Sequence, residues 1–79
     1  MVYIHGMKNF HDFYFGMPVK ARDSYVERVG TTIAYAERIA GGFRLPSLKM
    51  AKRLIDAANG EISFHSLIAT WEAKHGPLA

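Results

Sequence analysis

Residues 26–46, VERVGTTIAYAERIAGGFRLP, contain two apolar helical patterns separated by one glycine and two threonines. The first pattern predicts the end of a helix over about 18–29. Gly30 can adopt the left-handed conformation that ends a helix, and the hydroxyl of Thr32 can cap the next one. The second pattern predicts that next helix over about 32–41. The stretch therefore predicts two helices joined by a very short turn.

The residues inside these two helices suit close packing at a sharp angle. Val26 is small enough to lie where two helices cross, and Val29 is apolar just before the glycine. The inward-facing residues of the second helix are expected to be Ile33, Ala36, Ile39 and Ala40. Helices joined at roughly 90–120° by 3–4 residues that include a glycine form a helix-turn-helix unit. We place this unit at about residues 20–41.

A short helix is predicted ahead of this unit, over about 9–16, with Asn9 as its cap. Three of its aromatic residues are expected in the core: Phe10, Phe13 and Tyr14. Phe15 is expected to be exposed or to lie at a contact between two copies. Residues 1–7 are expected to form a flexible arm, and residues 8–79 a single domain.

Two more helices are predicted after the unit. Ser47 can cap the first of them, and Asn59-Gly60 can end it. The apolar residues at helical spacing in that helix are Leu48, Ala51, Leu54, Ile55 and Ala58. Ser63 can cap the second, over about 63–74. The sequence thus predicts an all-α fold, a small bundle of four to five short helices.

Composition excludes several classes of protein. The 79 residues are 49% hydrophobic and 22% charged, as in a small globular domain, and include no cysteine. Disulfide scaffolds and thiolate metal sites are therefore excluded. The longest uncharged stretch, Ile62–Trp71, has ten residues, about half the length of a membrane-spanning helix. We therefore expect no membrane insertion.

No catalytic or metal-binding pattern is recognisable in the sequence. The histidines are not spaced at i, i+3 or i+4 from one another: His5, His11, His65 and His75. No glycine-rich phosphate loop follows a strand, and no nucleophile–base set can be proposed from spacing. We therefore expect a protein that is not an enzyme, with no metal, no cofactor and no small-molecule substrate.

Charge is unevenly distributed along the chain. Residues 19–53 carry eight cations against three anions, a net charge of +5, whereas the remaining residues carry a net charge of −2. A basic middle with acidic flanks favours a surface that binds a polyanion, and chance asymmetry on a solvated surface is the alternative.

The ordered features around the turn are RVGTT at 28–32, Tyr35, IAGG at 39–42, Arg44, Pro46 and ANGEIS at 58–63. This set resembles the phage Cro/repressor helix-turn-helix superfamily, and is most similar to its YdaS-like branch of Cro-type antitoxins. The resemblance covers about residues 8–68. The chain departs from it after Ile68, where a helix that includes Trp71 is expected to continue.

The resemblance implies that the helix over 32–41 enters the major groove of duplex DNA. The residues it assigns to that surface are Thr31, Thr32, Ala34, Tyr35 and Arg38. Arg38 can pair with guanine, and the methyl group of Ala34 can meet a thymine methyl. The residues suited to backbone phosphates are Arg44, Ser47 and Lys49 after this helix, and Lys20 and Arg22 before it.

A structural role is the alternative for some of these residues. Thr32 is suited to cap its helix whatever else it does, Tyr35 can pack on the first helix, and Arg38 can be a solvated charge. Ile33 is expected in the core or at its edge. Solvated helix charges and DNA contacts are equally compatible with Lys52 and Arg53, which are left out of the predicted site.

The sequence therefore predicts a sequence-specific DNA-binding transcriptional regulator, a Cro-like phage or prophage repressor. It would bind a double-stranded operator in the cytoplasm of a bacterial host. The alternative is a small helical protein-interaction module, an antitoxin or an anti-repressor, built on the same fold. The net positive charge of the middle of the chain favours the first interpretation.

A weak homodimer is also expected, because one helix-turn-helix reads only a few base pairs. The candidate surface is the last helix, whose apolar residues outnumber those that a core of this size is expected to bury: Leu67, Ile68, Trp71 and, beyond the helix, Leu78. The alternative is that Trp71 closes the core against Phe10 and Leu54.

Overall fold

The structure, a computed structural model, describes residues 8–77. These residues form five α-helices: α1 (Phe10–Phe15), α2 (Val19–Val29), α3 (Ile33–Ala40), α4 (Leu48–Ala57) and α5 (Phe64–His75). No β-strand occurs within this range, and the predicted all-α bundle is confirmed. Residue ranges were predicted for four of these helices, α1, α2, α3 and α5. Each predicted range differs from the observed one by at most one residue at either end. The expected arm, residues 1–7, and Leu78 lie outside the described residues.

Four of the helices begin at a side chain that accepts a hydrogen bond from a backbone N–H. These caps are Asn9, Thr32, Ser47 and Ser63. The Thr32 hydroxyl, for example, lies 3.1 Å from the backbone nitrogen of Tyr35. Ser63 and Ser66 cap each other reciprocally at the start of α5. All four caps are predicted by the sequence, and all four are confirmed.

The turn between α2 and α3 depends on the backbone of Gly30. Its φ of 84° lies in the left-handed region. Its N–H donates to the carbonyls of Val26 and Glu27, at 3.0 and 3.1 Å, and the N–H of Thr31 donates to the Val26 carbonyl at 3.2 Å. These bonds satisfy the last carbonyl groups of α2, as in a Schellman motif. The chain can therefore enter α3 after only three residues.

The five helices share one hydrophobic core. Its buried members are Phe10, Phe13, Tyr14, Tyr25, Val26, Val29, Ala36, Ile39, Ala40, Ala51, Leu54, Ala58, Ile62 and Leu67. As predicted, three aromatic residues of α1 are in the core and Phe15 is exposed. The hydroxyl of Tyr25 donates to the Leu54 carbonyl at 2.6 Å and so ties α2 to α4. Burial raises the pKa of Tyr25, which keeps this donor protonated.

Thr70 connects α5, the last helix, to α1, the first. Its buried hydroxyl oxygen accepts from the backbone N–H groups of Phe10, at 2.7 Å, and His11, at 3.2 Å. The same hydroxyl donates to the Ser66 carbonyl at 3.0 Å. Helix α5 thereby supplies a hydrogen-bond acceptor for the first turn of α1. Helix α1 has only six residues and is too short to be stable by itself.

Three apolar side chains lie elsewhere than predicted. Ile33 was expected to face inward and Leu48 was placed in the apolar stripe of its helix, but they are 42% and 75% exposed. Each is the first residue of its helix, and burial begins one turn later, at Ala36 and Ala51. Leu67, expected to be available for association, is instead 2% exposed within the core. Helical spacing identifies the buried side of a helix but not the point along its axis where the core begins.

Substitution of Gly30 tests the turn. Gly30→Val should lower the free energy of unfolding by roughly 1–3 kcal/mol, because a β-branched residue is strained at positive φ. An added Cβ would lie 4.0 Å from its nearest neighbour, a guanidinium nitrogen of Arg53, so the loss would come from the backbone and not from a clash. Gly30→Asn is the control and should cost less, since asparagine tolerates this conformation. Equal melting temperatures for all three proteins would contradict the account of the turn.

Substitution of Thr70 tests the connection between α1 and α5. Thr70→Val keeps the shape of the side chain but removes the acceptor of two N–H groups, one of them buried. The loss of stability in urea unfolding should be about 1–3 kcal/mol. Thr31→Val is a suitable control, since no hydrogen bond of the Thr31 side chain is recorded among residues 8–77. A Thr70 variant as stable as this control would refute the proposed connection.

Candidate nucleic-acid interface

Helix α3 has one buried side and one exposed side. Ala36, Ile39 and Ala40 are buried where α3 packs against α1, α2 and α5. The exposed residues form one continuous side at positions i, i+1, i+4 and i+5: Ile33, Ala34, Glu37 and Arg38. We call these four residues the α3 face. It presents a cation, a carboxylate and two apolar side chains, which are groups that can contact base edges.

The five residues predicted to face DNA from this region occupy different environments. Ala34 and Arg38 belong to the α3 face. Thr32 is exposed, but its hydroxyl is engaged as the cap of α3. Thr31 and Tyr35 are half-buried, and Tyr35 packs against the core. Thr32 thus has the capping role given above as its structural alternative. Tyr35 likewise has a packing role, against the core.

Arg44 returns from the following loop to the side of α3. Its guanidinium carbon lies 5.5 Å from the centre of the Tyr35 ring, in the range of a cation–π contact. Its backbone N–H donates to the Arg38 carbonyl at 3.2 Å. Two predicted site residues, Tyr35 and Arg44, are therefore brought together, and a cation is fixed beside α3.

The loop that carries Arg44 is anchored at its start by α5. The Nε2 atom of His75 donates to the Gly42 carbonyl at 2.9 Å. The Lys74 ammonium lies 4.2 Å from the centre of the Phe43 ring. These contacts restrict the loop between α3 and α4 just before Arg44.

The start of α4 adds a further positive region. Ser47 caps this helix, and Lys49 is exposed in its first turn. The N-terminus of a helix carries a partial positive charge and free N–H groups, which together favour anions. Ser47 and Lys49 therefore lie where a phosphate group could bind, in sequence directly after the loop of Arg44.

Lys20 and Arg22 on α2 differ from each other. Lys20 is exposed in the first turn of the helix. Arg22 donates from Nε to the Met17 carbonyl at 2.9 Å and from an Nη atom to the Phe15 carbonyl at 3.2 Å. Its guanidinium also lies 5.4 Å from the centre of the Phe15 ring. Arg22 is thus engaged in holding the turn between α1 and α2, a role that sequence reasoning did not identify.

Two residues of the α3 face were missed by the sequence prediction, Ile33 and Glu37. Glu37 lies one turn after Ile33, on the side of α3 opposite the buried Ile39. Placing Ala36, Ile39 and Ala40 on a helical wheel would have identified Glu37 directly. Ile33 could not be found in this way, because its spacing from Ala40 puts it close to the buried side.

Ion pairing leaves the cations of the predicted site available to a ligand. Within residues 8–77 the two ion pairs join Lys52 to Asp56 and His11 to Asp12. The side chains of Lys20, Arg38 and Lys49 make no hydrogen bond or ion pair within this range. An anion can therefore approach these three cations without displacing an internal carboxylate.

Neither a metal-binding cluster nor a helix able to cross a membrane is found in the part of the chain that the structure describes. No three histidine, aspartate or glutamate side chains between residues 8 and 77 are grouped so that they could hold a metal ion. None of the five helices in this range has both the length and the apolar character needed to cross a bilayer.

Comparison with known proteins returned no match to a protein-family model, a curated protein or a solved structure. The resemblance to the Cro/repressor superfamily therefore rests on the ordered features of the sequence alone.

Proposed function

We propose that this protein is a transcriptional regulator that binds duplex DNA, with α2 and α3 as a helix-turn-helix and the α3 face in the major groove. The observation that supports this most directly is the combination of the Gly30 turn with an exposed α3 face that includes the unpaired cation Arg38. We place it, as a Cro-like repressor, in the cytoplasm of a bacterial host.

Three side chains of the α3 face would read the sequence of the operator. Arg38 would donate to guanine O6 and N7, and Glu37 would accept from the amino group of cytosine. Ile33, 42% exposed at the start of α3, would contact a thymine methyl group. Ala34 is short enough to let the backbone of α3 approach the floor of the groove.

Backbone phosphates would be held from both sides of the α3 face. Lys20 would serve on one side, and Arg44, Ser47 and Lys49 on the other. Arg22 would act through the turn it holds, because two of its donors are already engaged by carbonyl groups. Thr31, just before α3, and Tyr35, within α3, are both half-buried, so they would position their neighbours and contribute at most one polar group each.

A weak homodimer completes the proposal, since two copies would bind two half-sites about one helical turn apart. The surface that supports it is the later part of α5, where Ile68 and Trp71 are half-buried. The Trp71 ring stacks on His75, with 3.7 Å between ring centroids. Neither Ile68 nor Trp71 is among the half-buried residues that pack against the core.

The salt dependence of binding to duplex DNA tests the proposal. With roughly 4–6 phosphate contacts per protomer, the slope of log K against log salt should lie between about −3.6 and −5.4. Lys49→Gln should make the slope less steep by about 0.9. The control is Lys8→Gln, at the first described residue, which should leave the slope unchanged. Affinity that does not depend on salt, or no binding at low salt, would contradict DNA binding.

A second test separates base contacts from phosphate contacts. Arg38→Ala should reduce discrimination at one base pair of each half-site by about 1–3 kcal/mol. Arg44→Ala should weaken binding to operator and random DNA by the same factor. Affinities can be measured by gel shift on the DNA upstream of the protein's own gene and on a scrambled duplex. The assignment fails if both variants lose affinity equally on the two duplexes.

A further inference from the structure

An apolar groove lies between α4 and the first turn of α5. Its volume is about 760 Å³, and its apolar lining residues, which we call its floor, are Leu48, Ile55 and Phe64. Leu48 is 75% exposed and Phe64 is 46% exposed. Single exposed apolar residues are common on proteins, but several around one concave surface are typical of an interaction site. We call this surface the α4–α5 groove.

The charged residues that line the α4–α5 groove, which we call its rim, have a net positive charge. These residues are Lys49, Lys52, Arg53 and Asp56. Asp56 is paired with Lys52, with 3.1 Å between the ammonium and the carboxylate. The side chains of Lys49 and Arg53 make no hydrogen bond or ion pair among residues 8–77. An occupant of the groove would therefore have to offer carboxylates to these two cations.

We propose that the α4–α5 groove binds an acidic amphipathic helix of a partner protein. Leu48 and Ile55 are seven residues apart on α4 and hence about 10.5 Å apart along its axis. A bound helix with apolar residues at i, i+3 or i+4, and i+7 spans the same distance. Glutamate or aspartate residues beside those positions would meet Lys49 and Arg53.

A second copy of this chain is a poorer occupant of the groove. A two-fold interface places the same surface on both partners, so the positive rim would lie close to its own copy. Like charges brought together in this way oppose association. The homodimer proposed above uses Ile68 and Trp71, further along α5, and leaves Leu48 and Ile55 free.

Occupation of the groove would affect DNA binding. Lys49 lies on the rim of the groove and also in the proposed phosphate-binding region at the start of α4. The single positive charge of Lys49 cannot compensate a carboxylate and a phosphate at the same time, so the acidic helix and DNA should compete. This consequence rests on the proposed function, whereas binding of the helix does not.

Binding can be measured by fluorescence anisotropy with a labelled synthetic helix. The probe is an amphipathic peptide of about four helical turns, with leucine at i, i+3, i+4 and i+7 and glutamate at the flanking positions. We expect a dissociation constant in the range of about 1–100 μM for the full-length protein without DNA. The control peptide, with lysine in place of every glutamate, should bind at least about tenfold more weakly.

Variants of the protein locate the binding site. Leu48→Glu should weaken binding of the acidic peptide by at least about tenfold, since it puts a carboxylate into the apolar floor. Val19→Glu is the matched control, because Val19 is also an exposed apolar first residue of a helix, but on α2. Circular dichroism checks that both variants fold.

Three outcomes would overturn the proposal. The first is an acidic peptide that does not bind up to millimolar concentration, and the second is one that binds no better than its lysine control. The third is a homodimer that sediments as a monomer after Leu48→Glu but not after Trp71→Ala, since the groove would then be occupied by a second copy. Peptide binding combined with a failure to bind DNA would refute the regulator proposal and leave the groove proposal intact.

Discussion

The positive φ of Gly30 is the constraint on which the rest of the arrangement depends. It lets the last carbonyl groups of α2 bond to the N–H groups of the turn and brings Thr32 directly to the start of α3. Helix α3 can then bury Ala36, Ile39 and Ala40 against its neighbours. The residues on the remaining side of α3 are exposed because of this packing, and they form the surface that we propose to read DNA.

Local chemistry explains why much of the fold could be predicted. A glycine that ends a helix and a Ser, Thr or Asn cap act within a few residues, so they are visible in the sequence. Contacts between distant residues are not visible in this way. The capping of α1 by Thr70 joins residues 60 positions apart, and Thr70 has no distinguishing feature in the sequence. The role of Arg22 in the turn between α1 and α2 depends likewise on where two carbonyl groups point.

The candidate site was predicted in outline, because residue type and helical position indicate which side chains can reach a ligand. Arg38 and Lys49 are exposed, as a DNA contact requires. Ile33 and Leu48 show the limit of this reasoning, since both lie at a first turn that extends past the core. Their exposure gives the α3 face an apolar group and gives the α4–α5 groove its most exposed apolar residue. Each of the two surfaces therefore combines exposed apolar side chains with unpaired cations, which are Arg38 on the α3 face and Lys49 and Arg53 at the α4–α5 groove.

The proposal that α3 reads duplex DNA is tested most directly by mapping the bound surface residue by residue. Titration of ¹⁵N-labelled protein with a duplex of about 20 base pairs, two helical turns, would follow every backbone amide by NMR. The account predicts the largest chemical-shift changes at residues 31–38 and 44–49, with little change across α1. No change at low salt, or changes at the α4–α5 groove without any at residues 31–38, would contradict it.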